Sequence, residues 1–342
     1  MRIGTADSAV LLDLLDRRLV CALQVDGRAE PGRLAEVLGV SVRTVTRRLA
    51  RLRETGVLKV VLMDRVADEA VGALLLRVRV LRGRVETIAD ALAARPDIPF
   101  VDIMLGGEEV SAVALTDRGG RDRLLHRQLP GTAAVVETTV HSVLHLFADA
   151  GQWRGGWLTE QEAAALAPAP PSTPPPLPDE LDQRLLARLA DDARLSAAAL
   201  AAETGAPEST VRRRLHRLAA GGLLRTHATV DPRLLGMPVD ANLWLEVPPG
   251  RLAEAGRVLA ADPRVHGVVA CSGPANLMAA VFCVDYEELY RFTTELLGPL
   301  GVHRVETAIV GRAVKRAGAR LVEPGAARTG GRPPREGRSG TA

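Results

Sequence analysis

The chain has 342 residues, 47% of them hydrophobic and 25% charged, with a formal net charge of +3. Such length and usage describe two or more folded units with real cores, and exclude a fibrous or polycationic chain. Aromatic residues make up only 3%, which argues against single-strand and RNA readers that stack bases on rings. No uninterrupted apolar run approaches the ~18–20 residues of a membrane span. Asp7, Asp13 and Asp16 interrupt the N-terminal stretch where a signal peptide would be apolar, so the expectation is a cytoplasmic chain with no membrane partner. The three cysteines, Cys21, Cys271 and Cys283, are odd in number and set in apolar runs, and read as buried reduced thiols.

In chain order, the first elements announce an internal repeat. LDRRLVCAL (15–23) returns as LDQRLLARL (181–189), and RTVTRRLARLRETGVL (43–58) returns as STVRRRLHRLAAGGLL (209–224), both at an offset of 166 residues. A fixed period of this kind marks a duplicated module. Leu15, Leu19 and Leu23 stripe a first helix behind Asp13 and Asp16. A second helix runs over Pro31–Leu38 to the breaker Gly39. Ser41 caps a third helix, striped by Val45, Leu49 and Leu52 and ending before Gly56. The second copy repeats the triad through Leu181–Leu189, Ser196–Thr204 with Gly205, and Val211, Leu215 and Leu218. Two short helices joined by a tight glycine turn form a helix-turn-helix.

The remainder of each half alternates strand and helix. Strands are predicted at 73–81, 99–105, 110–116 and 133–144, with helices at 84–94 and 120–128 between them. The second half gives strands at 241–247, 265–271, 277–284 and 302–310, with helices at 250–261 and 286–297. This β-α-β-β-α-β order is the ferredoxin-like sandwich. The fold class is therefore α+β, with two tandem modules, each a winged helix-turn-helix followed by a ferredoxin-like unit. The boundaries are 11–60, 70–147, a linker 148–178 that is proline-rich at 168–178, 179–228, 238–316, and a disordered tail at 323–342. Trp153 and Trp157 in the linker are expected to pin it onto the first sheet, with a plug between the modules as the alternative.

The third helix of each triad carries the sharpest chemistry. Arg43, Arg47 and Arg51 recur every four residues off the apolar stripe, joined by Arg48 and by Ser41, Thr44 and Thr46. The second copy offers Ser209, Thr210, Arg212, Arg213, Arg214 and Arg217. An apolar face that docks on its own bundle, opposite a face of arginine and short polar groups, is what a major-groove reading helix needs. Double-stranded DNA is thus the expected partner. Glu208, near the start of the second such helix, would repel phosphate.

With these pieces in order, the chain resembles the Lrp/AsnC family of bacterial transcription regulators over about 15–145 and 181–316. The resemblance implies an oligomeric, sequence-specific DNA-binding regulator and no enzyme. It further implies self-association through ferredoxin-like units whose sheets pair back to back, and an amino acid or related metabolite as effector. In that family the turn between strands two and three usually reads Gly-x-x-Asp. The matching positions are Gly106 with Glu109, and Gly273 with Asn276, so the turn's carboxylate is altered in one copy and missing in the other.

Sirohaem decarboxylases are similar to that family and also occur as paired modules, so a decarboxylase of the same fold is an alternative, as is a non-specific architectural DNA protein. The decarboxylases' His–Arg signature has no match at 101–106 or 268–273. The histidines show no metal-ligand spacing, and no nucleophile–base set or cofactor motif is found. His141 and His145 are expected on one face of a strand, ~13 Å apart.

Overall fold

A computed structural model of the protein describes residues 11–62, 72–116, 118–150 and 153–320. The expected tail lies outside the described residues. The first triad is α1 (Leu14–Val25), α2 (Pro31–Leu38) and α3 (Val42–Glu54), followed by strand β1 (Lys59–Leu62). Local chemistry sets the ends. Asp13 caps α1 by accepting from the Asp16 amide, Gly39 closes α2 at φ 68°, and Ser41 caps α3 by accepting from the Thr44 amide. Leu19, Leu23, Leu34, Val45, Leu49 and Leu52 bury together as the triad's core.

Next come β2 (Gly72–Val80), α4 (Val85–Ala93), β3 (Phe100–Met104), β4 (Glu109–Thr116), α5 (Arg118–Arg123) and β5 (Val135–Ala148). A connector carries α6 (Glu160–Leu166). The order then recurs as α7 (Glu180–Asp191), α8 (Ala197–Thr204), α9 (Glu208–Ala220), β6 (Thr226–Thr229), β7 (Val239–Glu246), α10 (Leu252–Ala261), β8 (Val265–Cys271), β9 (Leu277–Cys283), α11 (Tyr286–Arg291) and β10 (Arg304–Arg316), with a short β11 (Ala319–Arg320). The strand orders are β3-β4-β2-β5 and β8-β9-β7-β10. Each sheet buries one face under its helices: Leu76, Val78, Ile88 and Leu92 in the first, Leu243, Leu245, Leu259 and Phe292 in the second.

The last strand of each half runs beyond its predicted end, and the added residues join the halves. β5 pairs with β2 over Leu74–Val80, then crosses to β8, with Val143 opposite Cys271 and Ala148 opposite Val268. β10 pairs with β7 through Ile309, then with β3 from Val310 to Lys315. The two sheets thereby close on each other, with Leu75, Trp244, Val269 and Cys271 buried between them. The sheets of the two halves therefore pair with each other inside one chain. A register shift between Val143 and His145 turns the two strand histidines apart, contrary to the shared face expected of them. His141 is buried against the Trp244 ring at 4.9 Å, while His145 is exposed beside Phe147.

The helix triads are joined in the same reciprocal way. The strand that follows each triad pairs antiparallel with its counterpart, Lys59 opposite Thr229 and Leu62 opposite Thr226, so each triad's wing strand is completed by the other half. Val61 and His227, related by the 166-residue offset, face each other at the centre. Arg28 donates to the carbonyls of Ala193 and Leu195, and its counterpart Arg194 donates to those of Gly27 and Ala29. The connector is seated between the modules. The Trp153 indole N–H donates to the Pro263 carbonyl at 2.8 Å and its ring meets Phe282 at 5.0 Å, so it wedges between the first triad and the second sheet. The proline segment then lies along the end of α9, where Ser172 N–H donates to the Ala220 carbonyl. A Cβ on Gly221 would fall 2.3 Å from Pro176, so only glycine admits that approach.

Two measurements test this arrangement. Arg28→Ala and Arg194→Ala each leave two carbonyls without donors, and each should lower stability in urea unfolding by about 1–3 kcal/mol. Burial pushes the His227 imidazole down to about 4, and its Nδ1 has no hydrogen-bond partner among the described residues. The unfolded chain therefore binds a proton that the folded one refuses. The neutral-form stability present above pH 6.5 should fall by up to a few kcal/mol as pH drops toward 4. His227→Leu should flatten that part of the stability–pH curve.

Candidate nucleic-acid interface

α3 and α9 each dock on their triad through three buried residues, Val45, Leu49 and Leu52 in one and Val211, Leu215 and Leu218 in the other. The arginines on the remaining surface divide into two groups. Arg48 reaches Asp13 at 2.5 Å and Asp16 at 2.9 Å, and Arg51 also pairs with Asp16. The second half repeats this at the same offset: Arg214 pairs with Asp179 and Asp182, and Arg217 with Asp182. Asp16 and Asp182 are 2% and 0% exposed, so these guanidinium groups compensate carboxylates that the fold has taken out of water.

The same pairs move the outer carboxylates. The Arg48 guanidinium, with the Asp16 amide, holds Asp13 below its ordinary range. The Asp182 amide, with Arg214, does the same for Asp179. Arg48, Arg51, Arg214 and Arg217 are therefore ties from the third helix to the first of each triad. The sequence signal for this was present and unread, since the four aspartates recur at the same offset as the arginines.

Arg43, Arg47 and Arg213 are exposed and have no ion-pair partner among the described residues. Arg47 and Arg213 occupy corresponding positions, whereas Arg43 corresponds to Ser209. Arg212 is held by Glu208 one turn earlier at 2.5 Å. Ser41 and Thr44 bond one another at the start of α3, and Thr46 donates to the Val42 carbonyl. Ser209 is exposed and Thr210 half-buried.

The effector-turn residues are engaged within the fold. Glu109 accepts two hydrogen bonds from Arg77, at 2.8 and 3.1 Å, and Arg77 reaches across to Glu306 at 2.7 Å. The Asn276 side chain bonds both backbone groups of Val247. At the first turn the left-handed residue is Gly107, at φ 71°, and not Gly106. At the second, Gly273 lies at φ 106° with the His141 ring packed where a Cβ would stand, 2.6 Å from Nδ1. That turn is thus closed by the other half's strand.

Paired helix-turn-helix triads above paired ferredoxin-like sheets define a class of two-part α+β proteins. Family models match at residues 12–59 (winged helix-turn-helix DNA-binding), 179–219 (AsnC-type helix-turn-helix domain) and 240–319 (Lrp/AsnC ligand binding domain). An HTH-type transcriptional regulator of Pyrococcus horikoshii is 30% identical over 134 residues, covering 39% of this chain and 85% of that protein. One from Pyrococcus furiosus is 31% identical over 134 residues, covering 39% and 90%. The chain belongs to the Lrp/AsnC family of helix-turn-helix proteins. The siroheme decarboxylase NirDL has a similar fold along the chain, with a TM-score of 0.57 over 89% of this chain and 93% of that one, at 16% identity.

The two arginine groups predict opposite phenotypes in urea unfolding. Arg48→Ala should cost about 1–3 kcal/mol, because Asp16 is left with one charged donor where it had two. Arg47→Ala should stay within about 0.5 kcal/mol of the parent.

Proposed function

We propose that this chain is a sequence-specific, DNA-binding transcriptional regulator in which one polypeptide supplies both halves of the reading unit. The observation that carries it is the pair Arg47 and Arg213, exposed and uncommitted at corresponding positions of two helices whose neighbouring arginines are tied inward. A helix anchored by its apolar stripe and by two ion-paired arginines is rigid, so its free face is presented in a fixed orientation to the major groove. Ser41, Arg43, Thr44, Thr46 and Arg47 form the first reading surface, and Ser209, Thr210, Arg212 and Arg213 the second. Because Arg43 has Ser209 as its counterpart and Arg212 is shared with Glu208, the two half-sites differ and the first helix binds phosphate more strongly.

The halves act as a fused pair, standing in for two identical subunits, and the chain works in the cytoplasm where its DNA is. No described helix is long and apolar enough to cross a membrane. An amino-acid-like effector at Gly106, Glu109, Gly273 and Asn276 would have to displace Arg77 from Glu109 or Val247 from Asn276. The decarboxylase reading has the fold likeness in its favour. Against it, the segments 101–106 and 268–273 lack a His–Arg pair, and titration with a tetrapyrrole should produce no Soret band.

Binding of Arg47→Ala and Arg213→Ala to genomic fragments, measured by anisotropy across a salt series, tests the proposal. Each variant should weaken binding and reduce the slope of log K against log salt by about 0.9 for every phosphate it no longer neutralises. An unchanged slope in both would overturn the assignment. Affinity for random DNA equal to that for the selected site would favour the architectural alternative.

A further inference from the structure

A duplicated chain has two clefts between a helix triad and the sheet beneath it, and the connector enters one of them. After β5 it runs along α1, where Arg154 donates to the Gln24 carbonyl at 3.3 Å and Cys21 Sγ donates to the Arg154 carbonyl at 2.8 Å. At the foot of that cleft Asp149 accepts from Arg225 at 3.0 Å, and Trp153 reaches Pro263 beyond the end of α10. Cys21 and Gln24 are thereby covered, at 0% and 4% exposure. Their counterparts on α7, Ala187 and Ala190, are exposed.

The difference begins where the two long strands end. β5 and β10 match residue for residue: Val143 opposite Cys271 repeats as Val310 opposite Met104, and Ala148 opposite Val268 as Lys315 opposite Val101. In that register Arg316 stands at the place of Asp149. It turns to Asp102 and Asp240, and the chain then reverses at Ala317 and Gly318 (φ 47° and 85°) into β11. Beneath α7 the described residues leave a cavity of about 590 Å³, bordered by Arg53, Lys59, Val61, Ala94, Ala190 and Lys315. That volume lies within the roughly 300–1,000 Å³ of small-molecule sites. Of the 44 lysine and arginine residues in the chain, only Lys59 and Lys315 are lysine, and both line this cavity. Lys315 is 5% exposed, and its ammonium donates to the Arg95 carbonyl at 2.7 Å.

We propose that this cleft binds a small organic carboxylate, its acid group at Lys59 and Lys315 and its hydrocarbon body against Val61, Ala94 and Ala190. The filled cleft is an internal template for that contact. There the cation at the place of Lys59 is Arg225, and it meets a carboxylate, Asp149, brought in by the connector. A carboxylate ligand repeats the pairing in the cleft where the chain itself supplies Arg316 instead. Each lysine carries a compact ammonium with three donors on a flexible stem, so two of them can converge on one carboxylate. A cationic ligand meets the wrong sign of charge, because the carboxylate on the described lining is Asp192, which is paired with Arg53 at 2.6 Å. The cleft touches α3 and β1 through Arg53 and Lys59, and the first sheet's layer through Ala94 and Lys315. A ligand there bridges a reading helix to a sheet. As an effector site this rests on the regulator reading, whereas the binding itself does not.

The test is calorimetric titration of the intact protein with sodium 4-phenylbutyrate, with 4-phenyl-1-butanol, sodium acetate and inorganic phosphate as comparisons. Carbon-13 labelling of lysine gives one side-chain signal for Lys59 and one for Lys315, and both are followed by NMR in parallel. The expected result is saturable binding of 4-phenylbutyrate, about tenfold or more tighter than the alcohol, with both lysine signals displaced. Ala190→Trp, confirmed folded by its thermal melt, fills the cleft from the exposed side of α7 and should weaken the affinity by about tenfold or more. Equal binding of the alcohol, of acetate or of phosphate, unmoved lysine signals, or an unchanged affinity in Ala190→Trp would each overturn it. Should that variant not fold, the four-ligand comparison and the lysine signals of the parent protein decide. No DNA enters this assay, so its failure and the failure of the regulator reading are distinguishable.

Discussion

The structure depends on two long strands, β5 and β10, that each belong to both halves. A strand at the edge of a four-stranded sheet leaves a row of unpaired N–H and C=O groups, which invites pairing with another chain. Here β5 and β10 run past their own sheets and supply that pairing, β5 to β8 and β10 to β3. The ring they close fixes the inner faces of the sheets against each other, and the β1–β6 ribbon with the Arg28 and Arg194 clasp fixes the triads above. With both joints reciprocal, neither triad can turn independently of its partner, so the two third helices are held as one unit.

A second constraint lies within each triad. Asp16 and Asp182 are buried carboxylates, and a buried charge is tolerable only when paired and hydrogen-bonded. The arginines that pair with them, Arg48 with Arg51 and Arg214 with Arg217, come from the helix that faces outward. Charge repeated in both halves therefore has two meanings on one helix. Some of it holds the scaffold and some of it is presented to a partner, and only the geometry of the aspartates separates the two.

The halves match in the triads and differ in the sheet interior. The clasp and the helix ties recur at one offset throughout. The sheet interior is not kept in this way. One seam packs Val143, Leu146 and Val269 against Leu75 and Trp244, whereas the other carries the buried charged cluster of Asp102, Asp240, His266 and Arg316. At the turns, Glu109 is tied to Arg77, Asn276 to Val247, and the His141 ring packs on Gly273.

Much of this was legible in the sequence. The repeat, the helix stripes, the Asp13, Ser41 and Ser196 caps, the Gly39 and Gly205 stops, and the β-α-β-β-α-β order all follow from spacings of a few residues, where 3.6- and 2-residue periods and cap chemistry act locally. What the sequence could not show is which partner each residue takes across 110 or more positions. The ends of β5 and β10 lie beyond the predicted strands because their pairing strands are in the other half, and Trp153 is left between the first sheet and an intermodule contact because Pro263 and Phe282 are remote in sequence. By itself the sequence determined two copies of one module and the face of each third helix that points away from its core. Only the tertiary structure decided through which strands the copies close on one another, and which arginines on that face remain free, because pairing and burial of charge depend on distance in space.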